Sequence, residues 1–193
     1  MKYLYLDCDD VLLDTTRVFM EFMYQDYGII DDANKYPSDW DISASPFAGF
    51  ADAVKAFAHS DYFKNIPPRP QADVGIKSLI EQGYRLFVVS SCPNDETSQK
   101  NRRQCLLKHF GDVFEDIVCL SFGMDNKGRY FSSAPYGIVI DDSIFNVNTA
   151  LRCGHQAILM AIAQNGDFQR QARDKNITVS RSLLEVADYL ANK

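Results

Sequence analysis

The stretch YLYLDCDDVLLD, residues 3–14, determines how the rest of the sequence is interpreted. It opens with a near-continuous apolar run, residues 3–7, which ends in the acidic pattern formed by Asp7 and Asp9. Short runs of this kind are typical of strands that are covered on both faces, as in a parallel sheet between helices. The stretch therefore predicts a buried first strand with two carboxylates at its carboxyl end.

Similar β-rich runs recur along the chain and alternate with helical patterns that end at glycines. The alternation predicts an α/β fold, a doubly wound parallel sheet whose ligands bind where the strand order reverses. The predicted strands are 85–90, 117–121, 137–141 and 156–161, with a weaker one at 177–180, and the predicted helices are 72–82, 95–110, 144–153 and 182–191.

The segment between the first two predicted strands is too long for one crossover helix, because about 70 residues separate them. It contains helical patterns at 15–27 and 46–59, joined by a polar, turn-rich piece at 31–41. The run IPPRPQ, residues 66–71, is typical of a stiff linker. We therefore predict a core domain of residues 1–14 and 71–193, with a small helical cap at 15–70.

Polar residues end three of the predicted strands. Asp7 and Asp9 follow the first, Ser90 ends the second, and Asp141 and Asp142 end the fourth. In a parallel sheet these ends lie together, and crowded carboxylates repel one another unless a cation neutralises them. Asp oxygens are ligands that Mg²⁺ prefers, so the sequence predicts a magnesium site.

The order of these motifs resembles that of the haloacid dehalogenase-like superfamily of phosphohydrolases. The pattern is D-x-D-x-V after the first strand, then a serine, a lysine, and the pair D-D after a later strand. The resemblance spans nearly the whole chain, and the long segment lies where that superfamily carries C1-type caps. The stretch SDYFKNIPPRPQADVGIKSLIEQGYRLFVVSSCP, residues 60–93, is similar to the cytosolic type of 5'(3')-deoxyribonucleotidases.

The resemblance implies a role for each acidic residue. Asp7 would attack phosphorus and carry the phosphoryl group, while Asp9 would protonate the leaving oxygen and later deprotonate water. Mg²⁺ would be held by Asp7, the backbone carbonyl of Asp9 and Asp141, and Asp142 would support those ligands from behind.

The resemblance also implies groups that hold the phosphate. Ser90 would hydrogen-bond a phosphate oxygen, with help from the N-terminus of the next helix, and Ser91 could share this role. Lys127, in a predicted loop with sequence DNKG, would be the cationic clamp on the transferring group. Lys108 and Lys100 are alternatives, since this motif consists of a single basic residue.

Two residues near the D-x-D pattern raise separate questions. Asp10 stands where many relatives carry glycine in a tight turn, although aspartate tolerates a left-handed backbone better than most residues. Asp14 could link core and cap, or it could act as the N-cap of the helix predicted to start at Thr15.

These features favour a phosphatase of small metabolites, most specifically a 5'-nucleotidase acting on nucleoside or deoxynucleoside monophosphates. A phosphatase of another metabolite and a sugar-phosphate phosphomutase remain alternatives. A signalling receiver module is disfavoured, because its paired acids precede a lone phospho-accepting aspartate, the reverse of this order. A catalytically dead binding protein finds no support, since both acids of D-x-D are present.

Composition limits the partners. The formal net charge of −6 gives no attraction to nucleic acid polymers or anionic lipid, so we expect a small phosphorylated metabolite and no membrane. The 5 cysteines include no C-x-x-C pair and are expected to be reduced. The N-terminal stretch meets acids too early for a secretory signal, which favours the cytoplasm. Nothing in the sequence specifies an oligomeric state.

Overall fold

The computed structural model describes residues 1–28, 50–122 and 126–193. Its centre is one six-stranded sheet with all neighbouring strands parallel, in the order β3-β2-β1-β4-β5-β6. The strand order reverses between β1 and β4, so the predicted doubly wound fold is confirmed. The strands are β1 (Lys2–Leu6), β2 (Tyr84–Ser91), β3 (Asp116–Leu120), β4 (Ile138–Asp141), β5 (Gln156–Met160) and β6 (Thr178–Ser180).

Among the described residues, a helix is present at each position where periodicity predicts one, and three further helices are present. Helices α3, α6 and α8 are not predicted; α8 has a mostly polar sequence with only Phe168 and Ala172 buried. Residues 46–49 of a predicted helix and the polar piece 31–41 lie outside the described residues. The helices are α1 (Thr15–Tyr27), α2 (Phe50–His59), α3 (Asp61–Lys64), α4 (Ala72–Glu81), α5 (Glu96–Phe110), α6 (Asn126–Ser133), α7 (Ile144–Arg152), α8 (Gly166–Asp174) and α9 (Leu183–Ala191).

Side chains of the central strands alternate between two buried clusters. Leu4, Leu6 and Val88 lie in a cluster with residues of α4, α5 and α9. Tyr5 and Val89 lie in a cluster on the other face, which α6 and α7 cover, and α7 and α8 continue this layer over β5. Because both faces are covered, nearly every position of these strands is apolar, which explains the continuous runs in the sequence.

The helices between β1 and β2 pack into the same cluster as the α5 side of the sheet. Phe19 of α1, Phe57 of α2 and Phe63 of α3 are buried there, and Phe57 makes edge-to-face contacts with the other two rings. Most described aromatic residues of this segment are thus part of the core. The assignment of residues 15–70 as a cap domain stays a prediction.

Two linkers join the helical segment to the sheet, one between β1 and α1 and the other between α3 and α4, and they hydrogen-bond to each other. Asp14 donates its backbone N–H to Pro67, and Arg69 donates to Leu12, each at 2.9 Å. The proline-rich return linker is therefore held against the outgoing one by backbone hydrogen bonds. Among the described residues, no helix is both long and apolar enough to cross a membrane.

Candidate active site

The predicted acidic residues and Ser90 meet at the point where the strand order reverses. Asp7 directly follows β1, and its backbone N–H donates to Ile140 in β4 at 2.9 Å. Ser90 lies near the end of the adjacent β2, and Asp141 ends β4. The parallel register of β2 and β4 on either side of β1 thus brings the three strand ends together, as expected for this fold.

Lys127 lies among the carboxylates. Its Nζ is 2.7 Å from Asp141 Oδ2, to which it donates a hydrogen bond, and 2.9 Å from Asp7 Oδ1, an ion-pair contact outside hydrogen-bond geometry. Burial alone would lower the pKa of Lys127, but the charges of Asp141 and Asp7 outweigh burial and raise it. The lysine therefore stays charged and screens the two carboxylates from each other.

The surroundings of Lys127 differ from the prediction in one respect. It does not lie in a loop but in the first turn of α6, which is anchored by the buried ring of Phe131. The alternative Lys108 is exposed and donates to Asn65 at 2.7 Å, and Lys100 is also exposed. Of the three candidate lysines, only Lys127 contacts the acidic cluster.

Burial shapes the protonation of the cluster. Burial, opposed by the charge of Lys127 and reinforced by the charges of Asp141 and Asp9, raises the pKa of Asp7 from 3.8 to about 7. Burial, then the charges of Asp141 and Asp7, raise the pKa of Asp142 well above its ordinary range. One lysine does not balance these carboxylates, which is the situation that a bound divalent cation relieves.

The adjacent acids Asp141 and Asp142 differ in their hydrogen bonds. Asp141 Oδ1 accepts from the Ser143 backbone N–H at 2.9 Å and from Asn146 Nδ2 at 3.0 Å, while Oδ2 accepts from Lys127. Within the described part of the chain, no donor contacts the Asp142 carboxylate, although its backbone carbonyl accepts from Asn165. Single oxygens of Asp7, Asp141 and Asp142 lie within 4.8 Å of one another, close enough to bind one ion.

Three buried oxygens at this edge have no hydrogen-bond partner among the described residues. They are Asp7 Oδ1, Asp9 Oδ1 and Ser90 Oγ. The first two contact the Lys127 and Arg102 cations, so only Ser90 Oγ lacks any polar partner in the described part of the chain. Buried polar atoms are nearly always paired, so an unpaired group at a strand end indicates a place for a polar ligand. Ser91 is only partly buried. Ser90 therefore lies among the strand ends that form the acidic cluster, with Ser91 beside it.

The N-terminus of α5 is already capped. Asp95 accepts from the Ser98 backbone N–H at 2.9 Å and from Ser98 Oγ at 2.7 Å, and its carboxylate also lies 2.8 Å from His59 Nε2. An anionic side chain thus occupies the end of the helix that was expected to help bind phosphate. The predicted contribution of this helix end is not supported.

Comparison with known proteins identifies the fold. No family model matches the chain, and no curated protein matches its sequence. A predicted phosphatase from Clostridium acetobutylicum has a TM-score of 0.72 and 17% identity, with 100% of this chain and 99% of that chain covered. A haloacid dehalogenase-like hydrolase from Streptococcus pneumoniae has a TM-score of 0.66 and 16% identity, with 98% of each chain covered. The chain has the haloacid dehalogenase-like fold.

A third structure of this haloacid dehalogenase-like fold contains ligands. It is the D,D-heptose 1.7-bisphosphate phosphatase from B. bronchiseptica complexed with magnesium and phosphate. Its TM-score is 0.58 at 15% identity, and the match covers 100% of this chain and 99% of that chain. At these identities the comparisons establish the fold, and the activity is inferred from the site.

Arg102, which binds Asp9, was not among the site residues predicted from the sequence. The guanidinium lies 2.7 Å from Asp9 Oδ1, and its Nη2 donates to Oδ2 at 2.8 Å. The signal was present in the sequence, because Arg102 falls on the buried stripe of α5 that includes Ser98, Cys105 and Leu106. A charged residue at a core position of a helix needs a buried partner.

Asp10, and not Asp14, accepts hydrogen bonds from the first turn of α1. Its backbone is left-handed, with φ of 56°, and its carboxylate accepts from the Thr16 backbone N–H at 3.0 Å and from the Thr16 hydroxyl. Asp14 makes no capping bond and pairs with Arg17 instead. The residue that replaces glycine in this haloacid dehalogenase-like turn therefore ties the D-x-D loop to the first turn of α1.

We expect the metal-free protein to lose stability as pH rises through the neutral range. Folding raises the pKa of Asp7 from 3.8 to about 7, so the folded state retains a proton that the unfolded chain releases. This stabilising contribution is complete below about pH 4 and is lost as pH rises to about 7. In EDTA, the free energy of unfolding should fall by on the order of 2 kcal/mol between pH 5 and pH 8.

The matched variant for this measurement is Asp7→Asn, which lacks the titrating group. Its free energy of unfolding should fall less between the two pH values, and urea denaturation measures both proteins. Identical pH dependence in the wild type and Asp7→Asn would contradict the linkage to Asp7.

Proposed function

We propose that this chain is a magnesium-dependent phosphomonoester hydrolase that works through an aspartyl-phosphate intermediate. The observation that carries the proposal is the convergence of Asp7, Asp9, Lys127 and the buried Ser90 hydroxyl, which has no partner among the described residues, at the sheet's reversal point. Phosphoryl transfer needs a nucleophile, a group that carries the proton, a hydrogen-bond donor to the phosphate oxygens and a fixed cation.

The reaction proceeds in two steps. An Asp7 carboxylate oxygen attacks phosphorus, the bond from phosphorus to the ester oxygen breaks, and that oxygen takes its proton from Asp9. A water then attacks the aspartyl phosphate, Asp9 takes a proton from it, and the bond from phosphorus to Asp7 breaks. The products are the alcohol and inorganic phosphate, and both aspartates return to their starting state. Lys127 and Ser90 hold the phosphoryl oxygens throughout.

The residues present fit a magnesium ion, with one change from the sequence-based assignment. Asp141 is engaged by Lys127, Ser143 and Asn146, whereas the buried Asp142 carboxylate has no donor among the described residues and a raised pKa. We therefore propose Asp7, the Asp9 backbone carbonyl and Asp142 as ligands, with Asp141 anchoring Lys127. When bound, the ion screens the anionic charges of nucleophile and substrate.

The proposed substrate is a small phosphorylated metabolite, most specifically a nucleoside or deoxynucleoside 5'-monophosphate. We propose this class on the resemblance that the stretch of residues 60–93 bears to deoxyribonucleotidases in the sequence analysis. A phosphatase of another metabolite and a sugar-phosphate phosphomutase are the alternatives. We place the protein in the cytoplasm on its sequence.

The test is release of inorganic phosphate from p-nitrophenyl phosphate and a panel of nucleoside monophosphates and sugar phosphates. We expect turnover with Mg²⁺ and none with EDTA, and recovery of an isomerised sugar phosphate would indicate the mutase. No phosphate release and no isomerisation across the panel would refute the proposal.

Replacing Ser90 by Ala should lower kcat/KM about 10- to 100-fold, because a hydrogen bond to a charged phosphate is lost. The free energy of unfolding should hardly change, since Ser90 Oγ has no partner within the described protein. Steady-state kinetics and urea denaturation check the two effects. Ser91→Ala is the matched control and should reduce kcat/KM less; the opposite order would move the phosphate contact to Ser91.

A further inference from the structure

Arg102 is a fully enclosed cation at the back of the D-x-D loop. Only 2% of its surface is exposed, and it lies in the middle of α5. Besides the contacts to both carboxylate oxygens of Asp9, its Nη1 donates to Cys8 Sγ at 3.2 Å, and its Nε has no partner in the described part of the chain. Asp9 is thus its anionic partner among the described residues.

The other side of the guanidinium faces the helical segment between β1 and β2. Its central carbon lies 4.3 Å from the centre of the Phe63 ring, a cation–π contact. Phe63 belongs to α3 and is buried in the same cluster as Phe57. Arg102 therefore lies between this segment and Asp9 and contacts both of them.

The two buried cations of the site contact different carboxylates. Lys127 contacts Asp7 and Asp141, and Arg102 contacts Asp9. A buried ion pair adds little net stability compared with apolar side chains of similar size, so its presence is weak evidence for a purely structural role. Its geometry is informative, because one guanidinium nitrogen, Nη2, contacts both Asp9 oxygens, at 2.7 Å from Oδ1 and 2.8 Å from Oδ2.

We propose that Arg102 is a positioning residue that holds the Asp9 carboxylate in the orientation from which it exchanges the proton with the leaving oxygen. The inference rests on the proposed phosphohydrolase activity and assigns to Arg102 no contact with substrate. When Arg102 is removed, Asp9 rotates freely and proton delivery to the departing ester oxygen slows. A leaving group that departs as a stable anion is affected little, whereas one that needs the proton is affected strongly.

Two substrates of nearly the same shape separate these cases: phenyl phosphate, whose leaving group needs protonation, and p-nitrophenyl phosphate, whose leaving group does not. For Arg102→Met, kcat/KM on phenyl phosphate should fall at least about tenfold more than on p-nitrophenyl phosphate, since general acid catalysis contributes roughly 10²- to 10⁴-fold. The ratio of the two values comes from one preparation, so partial unfolding cancels from it.

Arg102→Lys keeps a charge beside Asp9 and should fold even if Arg102→Met does not. Its ratio of kcat/KM on the two substrates should lie between those of the wild type and Asp9→Asn. Arg103→Met is the matched control, because Arg103 is exposed on the same helix. In an Asp9→Asn background, Arg102→Met should leave the ratio unchanged.

The outcomes separate the two proposals. A wild-type protein inactive on every phosphomonoester refutes the proposed function. An active wild type with an unaltered ratio in both Arg102 variants overturns the positioning role, and an equal loss on both substrates would instead place Arg102 on the phosphate.

Discussion

Replacing Asp7 by Asn is expected to lower kcat for phosphate release by about 10⁴-fold or more, because the amide cannot form the phosphoryl–enzyme bond. Asp7 directly follows β1, and its Oδ1 lies 2.9 Å from the Lys127 ammonium, within the acidic cluster. Acid-quenched wild-type protein should carry one phosphoryl group on the peptide that contains Asp7. Kinetics with p-nitrophenyl phosphate and mass spectrometry of the quenched protein provide the two measurements.

The loss should not result from unfolding. Asn has nearly the shape of Asp but no charge, and the raised pKa of Asp7 shows that its charge is disfavoured in the fold. At pH 8 without metal, the variant should therefore be at least as stable as the wild type. Asp188→Asn, on the exposed side of α9, is the matched control and should retain full activity. Retained phosphate release by Asp7→Asn would exclude the covalent route.

The fold was predictable because its strands are buried on both faces. Continuous apolar runs such as 85–90, short and flanked by polar turns, are typical of such strands, and all six predicted strands end within one residue of the observed positions. The prediction failed for α6, whose sequence NKGRYFSS contains a glycine and two serines. Packing of Phe131 against the sheet stabilises that helix, and such a contact is not visible in local sequence.

Site residues were predictable where a polar residue ends a predicted strand. They were not predictable where a residue's role depends on its hydrogen-bond or ion-pair partner. Asp141 and Asp142 are neighbours with the same side chain, so the hydrogen bonds that Asp141 accepts from Lys127, Ser143 and Asn146 distinguish them. Arg102 contacts an acid 93 positions away in the chain, and the sequence shows its charge but not its partner.

Lys127→Met should be the most destabilising of the single changes considered and should also lower activity. The ammonium is 2.7 Å from Asp141 and 2.9 Å from Asp7, and removing it leaves two buried carboxylates without their cation. Breaking a buried pair in this way costs about 3–5 kcal/mol. We expect kcat/KM to fall by about 10²-fold or more as well, since a fixed charge on the transferring group is lost.

Urea denaturation and kinetics at saturating Mg²⁺ measure the two effects in one preparation. Lys108→Met is the matched control: that lysine is exposed and contacts Asn65, so stability should change by less than about 0.5 kcal/mol. Added Mg²⁺ should restore part of the stability of Lys127→Met but little of its activity, because the ion can screen Asp7 without replacing the lysine at the phosphoryl oxygens. A Lys127→Met protein with wild-type kinetics would remove this residue from the mechanism.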